Sequence, residues 1–95
     1  MAGGWVYIVT NKRGGTLYIG VTSDLQRRIG EHRAGTVAGF TKRYNLTRLV
    51  FAEFHDEITT AIQREKALKS WKREWKEALI ARMNPEWDDL YERLF

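Results

Sequence analysis

Residues 15–32, GTLYIGVTSDLQRRIGEH, combine a strand, a sharp turn and the start of a helix. Alternating apolar residues lead to Gly20, and SDLQ then has capping-box spacing, with Ser23 or the residue before it as the N-cap. Arg28 and His32 lie four residues apart, so a helix projects both from one side. The stretch therefore predicts a strand-to-helix junction that carries a tyrosine, an arginine and a histidine.

Two further strands are predicted beside this junction. WVYIV at 5–9 is rich in β-branched and aromatic residues, and a glycine-containing turn connects it to TLYIG at 16–20, which predicts a hairpin over 5–20. RLVFAEF at 48–54 predicts the third strand. The stretch between helix and third strand, AGTVAGFTKRYN at 34–45, has the composition of a loop.

The second half of the chain is predicted to be helical. Residues 56–84 have helical composition, and their length predicts a break near Ser70 and Trp71 that divides them into two helices. PEWDDLYERLF at 85–95 is an amphipathic tail expected to pack on the body. The order β-β-α-β-α-α predicts an α+β fold, a small three-stranded antiparallel sheet flanked by helices, in a single domain over 1–95.

Composition limits the classes of function. The 95 residues carry a net charge of +4, which favours a polyanionic partner, most simply nucleic acid. No cysteine is present, so disulfides, thiolate nucleophiles and zinc sites of the cysteine type are excluded. No segment has the pattern of a signal peptide or the roughly 18 apolar residues of a membrane span. We therefore expect a cytoplasmic protein with no membrane partner.

Glu65 is an unusual residue on its predicted helix. Ile58, Ala61, Ile62 and Leu68 form one apolar face at helical spacing, and Glu65 falls inside that stripe. A carboxylate there is unfavourable unless it is paired, hydrogen-bonded or bound to a metal. One interpretation is a salt bridge, and the other is a carboxylate at the floor of a cleft that holds a divalent cation. Position alone leaves both open.

The motifs resemble those of a known family. VYI at 6–8 and YIG at 18–20, separated by a glycine-containing turn, resemble the paired motif that names the GIY-YIG nuclease family. The resemblance continues through TSDLQRRIGEH, TKRYNLTRLVFAE, AIQREKALKSWKREWKEALI and NPEWDDL, which together with the motifs cover nearly the whole chain. The chain most resembles small stand-alone members of the family, which are related to the N-terminal nuclease domain of the bacterial excision-repair incision subunit. The resemblance implies a three-stranded antiparallel sheet flanked by helices, and divalent-metal-dependent cleavage of DNA phosphodiesters.

The resemblance also implies which residues form the site. Tyr7 and Tyr18 stand at the two motif tyrosines, Arg28 at the catalytic arginine and Glu65 at the metal-binding glutamate. His32 stands where relatives carry a histidine or a tyrosine. The implied cofactor is Mg²⁺ or Mn²⁺ held by Glu65, with no small-molecule cofactor.

Two departures from the family pattern affect this interpretation. Trp5 replaces the leading glycine of the first motif, which changes packing rather than reacting chemistry. Val21 follows Gly20 where some relatives use a basic residue, so one possible phosphate contact is missing. We expect this loss to weaken catalysis.

The chemistry of phosphodiester cleavage suggests a role for each residue. Arg28 can grip two phosphate oxygens and always stays charged. We assign Tyr7 as the general base, although a free tyrosine titrates near pH 10 and needs nearby cations to lose its proton. Tyr18 then orients water or phosphate, and His32 relays or accepts the proton. The two tyrosines can exchange these roles, and both can instead be sheet-packing residues.

Basic side chains supply a candidate DNA surface. A run of cations on a helix is usually a solvated face, but these can follow a DNA backbone beside the site. The predicted phosphate contacts are Lys42, Arg43, Lys69, Lys72 and Lys76. Packing is the simplest role for Trp71, Trp75 and Trp87, and His55 is expected to be solvated.

These observations predict a metal-dependent DNA endonuclease. Without an appended recognition domain it should be structure-dependent or weakly specific, acting in DNA repair or recombination. The alternative is a catalytically inactive nucleic-acid-binding module, and a third interpretation makes the tail at 85–95 a docking surface for another protein. Oligomeric state is left open.

Overall fold

The computed structural model describes residues 3–37 and 39–95. The strands are β1 (Gly4–Thr10), β2 (Leu17–Thr22) and β3 (Arg48–His55). The helices are α1 (Leu25–Ala34), α2 (Phe40–Arg43), α3 (Ile58–Ser70), α4 (Arg73–Met83) and α5 (Tyr91–Leu94). The predicted α+β fold and element order are confirmed, with α2 and α5 as short additions.

The sheet has the order β2-β1-β3, and both pairs of strands are antiparallel. β1 is the central strand, and all its residues but Trp5 are buried, because elements cover both its faces. In the hairpin register Tyr7 lies opposite Gly20 and Val9 lies opposite Tyr18. This register places the two tyrosines on one face of the sheet.

The junction after β2 differs in detail from the prediction. The N-cap of α1 is Asp24, whose carboxylate accepts a hydrogen bond from the Arg27 backbone N–H at 3.2 Å. Neither Thr22 nor Ser23 is the cap; the Thr22 hydroxyl instead accepts from the Asp24 backbone N–H. The aspartate is the better acceptor here because its charge also complements the helix N-terminus.

The segment predicted to be a loop contains α2. Its Thr41 is buried, and the Thr41 carbonyl accepts a hydrogen bond from the Leu46 backbone N–H at 2.9 Å. Composition misses a helix of four residues, because such a helix depends on tertiary contacts rather than on propensity. Ala38, which belongs to the same predicted loop, lies outside the described residues.

The predicted break between the long helices is confirmed. Trp71 has extended backbone angles, φ −70° and ψ 154°, and α4 begins two residues later at Arg73. The tail also packs on the body as expected, with Trp87 and Leu90 buried. Within residues 3–37 and 39–95, no helix has both the length and the apolar character that crossing a membrane requires.

Helices cover the two faces of the sheet separately. Val6 and Ile8 of β1 pack with Ala61 and Leu68 of α3 and with Ile80 of α4. On the other face, Tyr7 and Val9 pack with Leu25 and Ile29 of α1 and with Leu90 of the tail. β2 is an edge strand, so groups from both faces can meet at its outer side.

Asn84 connects the end of α4 to the sheet. Its buried side-chain amide donates to the carbonyls of Val50 at 3.1 Å and Asp88 at 2.8 Å, and its oxygen accepts from the Asp88 N–H at 3.0 Å. One side chain therefore satisfies backbone groups of both β3 and the tail. Buried polar groups of this kind are costly to leave without partners.

We predict that Asn84→Ala lowers the free energy of unfolding by about 2–3 kcal/mol, because buried backbone groups lose their partners. Urea denaturation of the variant beside wild type measures this. Gln63→Ala, at an exposed position of α3, is the control and should change stability by less than about 0.5 kcal/mol. Equal stability of the Asn84 variant and wild type would contradict the anchoring role.

Candidate active site

The phenol of Tyr7 lies above Gly20 on the neighbouring strand. A Cβ atom built at Gly20 would come closer than 3.0 Å to Tyr7 Cζ and to the phenol oxygen. A side chain at position 20 would therefore displace the ring. The second motif needs its glycine at this position because the first motif's tyrosine fills that space.

A buried hydrogen-bonded chain begins at this phenol. Tyr7 Oη lies 3.1 Å from His32 Nε2, and His32 Nδ1 lies 3.2 Å from Thr41 Oγ1. The three residues come from β1, α1 and α2, and all three are buried. The structure thus connects two predicted site residues, Tyr7 and His32, to Thr41 through side-chain hydrogen bonds.

Tyr18 lies beside this chain and continues into an aromatic row. Its ring centroid is 6.4 Å from that of Tyr7 and 6.0 Å from that of His32. On its other side is Phe40, 6.4 Å away, and Phe40 contacts Tyr44 at 4.8 Å. Phe40 and Tyr44 are exposed, so the row leads from the buried phenol of Tyr7 past the half-buried Tyr18 to solvent along α2.

Burial sets the protonation states of Tyr7 and His32. Burial raises the pKa of Tyr7 well above its ordinary value; Tyr18 adds to the increase and Arg28 opposes it. Burial also lowers the pKa of His32 below 6.5, with Arg28 as the second cause and Glu31 in opposition. Near pH 7 both groups are neutral. The field of Arg28 by itself does not make Tyr7 a phenolate.

Arg28 stands at the rim of the site. Its guanidinium pairs with Glu31 at 3.4 Å and is 40% exposed, so it stays accessible to an anion from solvent. A depression of about 190 Å³ lies beside it at the start of α1, lined by Thr22, Ser23, Asp24, Arg27, Arg28 and Glu31. The positive charge acts on both Tyr7 and His32, as their pKa shifts show.

Glu65 faces inward as its place in the apolar stripe predicted, and it is 8% exposed. One oxygen lies 2.6 Å from the Lys69 ammonium, one helical turn later, and this hydrogen bond raises the pKa of Lys69 above its ordinary value. The salt-bridge interpretation is thus confirmed for this state of the protein. The ion pair with Lys69 does not exclude a metal ion at Glu65, because an ammonium and a metal ion would each place a positive charge beside the same carboxylate.

Electrostatics connects Glu65 to the two phenols across the edge of β2. Its negative charge contributes to the raised pKa of Tyr7, and Tyr18 contributes to that of Lys69. The Glu65 oxygens are hard ligands that fit a divalent cation, and the ammonium beside them already occupies such a position. Within the described residues no cluster of three or more histidine or acidic side chains could hold a metal ion. A metal ion at Glu65 would therefore need water or phosphate oxygens to complete its shell.

The predicted phosphate contacts occupy several surfaces. Lys42 and Arg43 are exposed on α2 beside the aromatic row. The break at Trp71 separates Lys69 from Lys72 and Lys76, so these cations do not share one helical face. The Lys72 ammonium nitrogen lies 5.4 Å from the centroid of the Trp75 ring. The phosphate-binding role of all five residues stays a prediction.

One smaller prediction is wrong, and one useful residue was not foreseen. Trp75 is 50% exposed and lies outside the core, but its ring packs edge-on against Trp71 with the centroids 6.0 Å apart, which agrees with the predicted packing role. His55 is half-buried and lies 2.8 Å from Glu53, which also binds Arg64. Thr41 belongs to a stretch that carries the family resemblance, but no local pattern indicates that it contacts His32.

We predict that Arg28→Met raises the pKa of His32, because removing a nearby positive charge makes protonation easier. NMR titration of the imidazole C–H signals measures it, with His55 as internal reference. In wild type, His32 should titrate below 6.5. The unfolded chain then takes up the proton first, so the free energy of unfolding falls as pH drops below 6.5. An unchanged or lower pKa in the variant would contradict the assigned cause.

Comparisons with known proteins show the family to which the chain belongs. The model of the GIY-YIG catalytic domain matches residues 3–78. A UPF0213 protein of Natronomonas pharaonis is 42% identical over 66 residues, which are 70% of this chain and 78% of that protein. One from Staphylococcus saprophyticus is 36% identical over 77 residues, covering 81% and 93% of the two chains.

One solved structure is also similar to this chain. The solution NMR structure of a UPF0213 protein from Bacillus halodurans matches with a TM-score of 0.52 and 32% identity, over 83% of each chain. The expected relation to the excision-repair subunit and the extent of a single domain over 1–95 stay predictions. The matched residues include both motifs, α1 and Glu65, and on this basis the chain belongs to the GIY-YIG family.

Proposed function

We propose that this protein is a divalent-metal-dependent DNA endonuclease that hydrolyses phosphodiester bonds. The observation that carries the proposal is the Tyr7–His32 hydrogen bond of 3.1 Å, formed between a phenol and an imidazole that are both neutral near pH 7. Arg28 stands beside this pair, and Glu65 lies within electrostatic reach of it. A packing tyrosine needs no such set of groups.

The hydrogen bond provides a route for the proton of the attacking water. The water gives its proton to Tyr7 Oη while the phenol proton moves to His32 Nε2, so no free phenolate forms. The water oxygen bonds to phosphorus as the bond from phosphorus to the 3′ oxygen breaks, and the leaving 3′ oxygen takes a proton from solvent. Tyr7 is then the base and His32 the final proton acceptor. Tyr18 is placed to orient the water or the phosphate. This concerted route is compatible with a raised Tyr7 pKa, whereas a stable phenolate is not.

Arg28 links phosphate binding to this proton transfer. Its guanidinium can bind two oxygens of the scissile phosphate in place of Glu31. The phosphate then neutralises much of the positive charge that lowers the pKa of His32. Substrate binding therefore makes His32 a better proton acceptor.

Glu65 would hold the metal, Mg²⁺ or Mn²⁺. When bound, the ion supplies Lewis-acid stabilisation of the phosphate and of the leaving 3′ oxygen. Lys69 must give up its contact of 2.6 Å for this to happen. Its released ammonium is then free to contact the DNA backbone. The same lysine would therefore form the ion pair in the free protein and the predicted phosphate contact in the complex.

The substrate is proposed to be DNA that the protein recognises by structure or with weak sequence specificity. Backbone contacts by Lys42, Arg43, Lys69, Lys72 and Lys76 give affinity without reading bases. Action in DNA repair or recombination, in the cytoplasm, is part of the same proposal. The retained tyrosines, arginine and glutamate favour it over an inactive binding module, which needs no buried carboxylate.

We predict that Glu65→Gln reduces Mg²⁺- or Mn²⁺-dependent cleavage by on the order of 100-fold or more, because metal stabilisation supplies several kcal/mol. Single-stranded, duplex, flapped and branched DNA are the substrates for the assay. Glu74→Gln, at an exposed glutamate of α4, is the matched control and should cleave like wild type. DNA binding by wild type without cleavage of any substrate would instead favour the binding module.

We also predict that Lys69→Gln increases the affinity of the protein for Mn²⁺ severalfold, because the ion no longer competes with an ammonium for Glu65. Electron paramagnetic resonance of free Mn²⁺ measures binding without DNA. Lys66→Gln, an exposed lysine on the same helix, is the control. Unchanged Mn²⁺ affinity in the Lys69 variant would place the ion away from Glu65.

A further inference from the structure

Thr41 is the partner of the second nitrogen of His32. Its side chain comes from α2, is 5% exposed and lies with Oγ1 3.2 Å from His32 Nδ1. The other nitrogen, Nε2, faces Tyr7 Oη. Each ring nitrogen therefore has one hydroxyl partner, and each hydroxyl can either donate or accept.

Only one of the two neutral tautomers can accept a proton from Tyr7. A neutral imidazole carries one hydrogen, so Nε2 is an acceptor only when the hydrogen is on Nδ1. Nδ1–H then donates to Thr41 Oγ1. In the opposite tautomer Nε2–H donates to the phenol oxygen, and His32 cannot receive the phenol proton at that atom.

We propose that Thr41 is a positioning residue that holds His32 in the Nδ1–H tautomer, with Nε2 as a proton acceptor aimed at Tyr7. The catalytic significance of this role rests on the proposed function, since it makes Nε2 the end of the proton route. Thr41 acts through His32 and does not contact the substrate.

The contacts around His32 make Thr41 the group that can hold the hydrogen on Nδ1, by accepting a hydrogen bond from it. Arg28 and Glu31, on the same helix, act on the ring by charge, and their effects oppose each other. Tyr7 of β1 bonds Nε2, and the Tyr18 ring of β2 lies 6.0 Å from the imidazole centroid. In the part of the chain that the structure describes, the hydroxyl of Thr41 is the side-chain partner of Nδ1.

Two contacts position α2 for this role. The carbonyl of Thr41 accepts from the N–H of Leu46 at 2.9 Å, and Leu46 is fully buried against the α1 face of the sheet. The preceding residue, Phe40, contacts the ring of Tyr18. A backbone bond and an aromatic contact thus fix both sides of the threonine.

The experiment reads the tautomer directly. The chain has two histidines, so ¹⁵N NMR of ring-labelled protein gives His32 with His55 as an internal reference. At a pH where His32 is neutral, wild type should show the hydrogen on Nδ1. Thr41→Val keeps the side-chain shape but removes the hydroxyl, and it should shift His32 toward the other tautomer. Thr41→Ser keeps the hydroxyl and should retain the wild-type signal.

Cleavage of the best substrate from the DNA screen provides the second readout. Thr41→Val should lower kcat about 10- to 100-fold with little change in DNA affinity, because the base chain is misaligned while the surface is intact. Thr41→Ser should stay within about threefold of wild type. The serine variant also keeps the test valid if the valine variant proves unstable, since its His32 signal must still match wild type.

Three results would overturn the inference. They are the hydrogen on Nε2 in wild type, an unchanged tautomer in Thr41→Val, and unchanged kcat in Thr41→Val despite an altered tautomer. A wild type that has the Nδ1–H tautomer but cleaves no DNA would refute the proposed function. It would still support Thr41 as the residue that orients His32.

Discussion

The pairing of Tyr7 with Gly20 is the constraint on which the site depends. The phenol occupies the volume that a Cβ at position 20 would need, so the edge strand must have a glycine there. From that place the hydroxyl reaches His32 on α1, and Thr41 on α2 reaches the same imidazole from its other side. The strand register thus aligns residues from three elements into one hydrogen-bonded chain.

Neutral groups form the hydrogen-bonded chain of this site, and ion pairs stand beside it. Burial keeps Tyr7 protonated and His32 unprotonated, because a charge on either would lose much of its hydration. Arg28 at the rim pairs with Glu31, and the buried Glu65 pairs with Lys69. Each pair satisfies a charge in the free protein. Both pairs lie within the residues that match the GIY-YIG catalytic domain, and the proposed function assigns a phosphate to the arginine and a metal ion to the glutamate.

Much of the architecture was predictable because local patterns determine it. The hairpin, the third strand and the helix break follow from turn residues, apolar alternation and helix length, and all three are present. The inward position of Glu65 also followed from helical spacing. The ion pair between Glu65 and Lys69 could also have been predicted, since an acidic and a basic residue four apart on a helix face each other. The resemblance to the family motifs, in turn, predicted the two tyrosines, Arg28 and His32 as site residues from the sequence.

Other features depend on contacts that bring distant segments together. The sequence by itself determined where the strands and the longer helices form and that Glu65 interrupts an apolar face, because those properties repeat with the period of a strand or a helix. Tertiary structure alone decided that Thr41 faces His32, that Trp75 stays outside the core and that Tyr7 remains protonated. These depend on how helices settle on the sheet and on how much water they exclude. Neither property has a periodic signal in the chain.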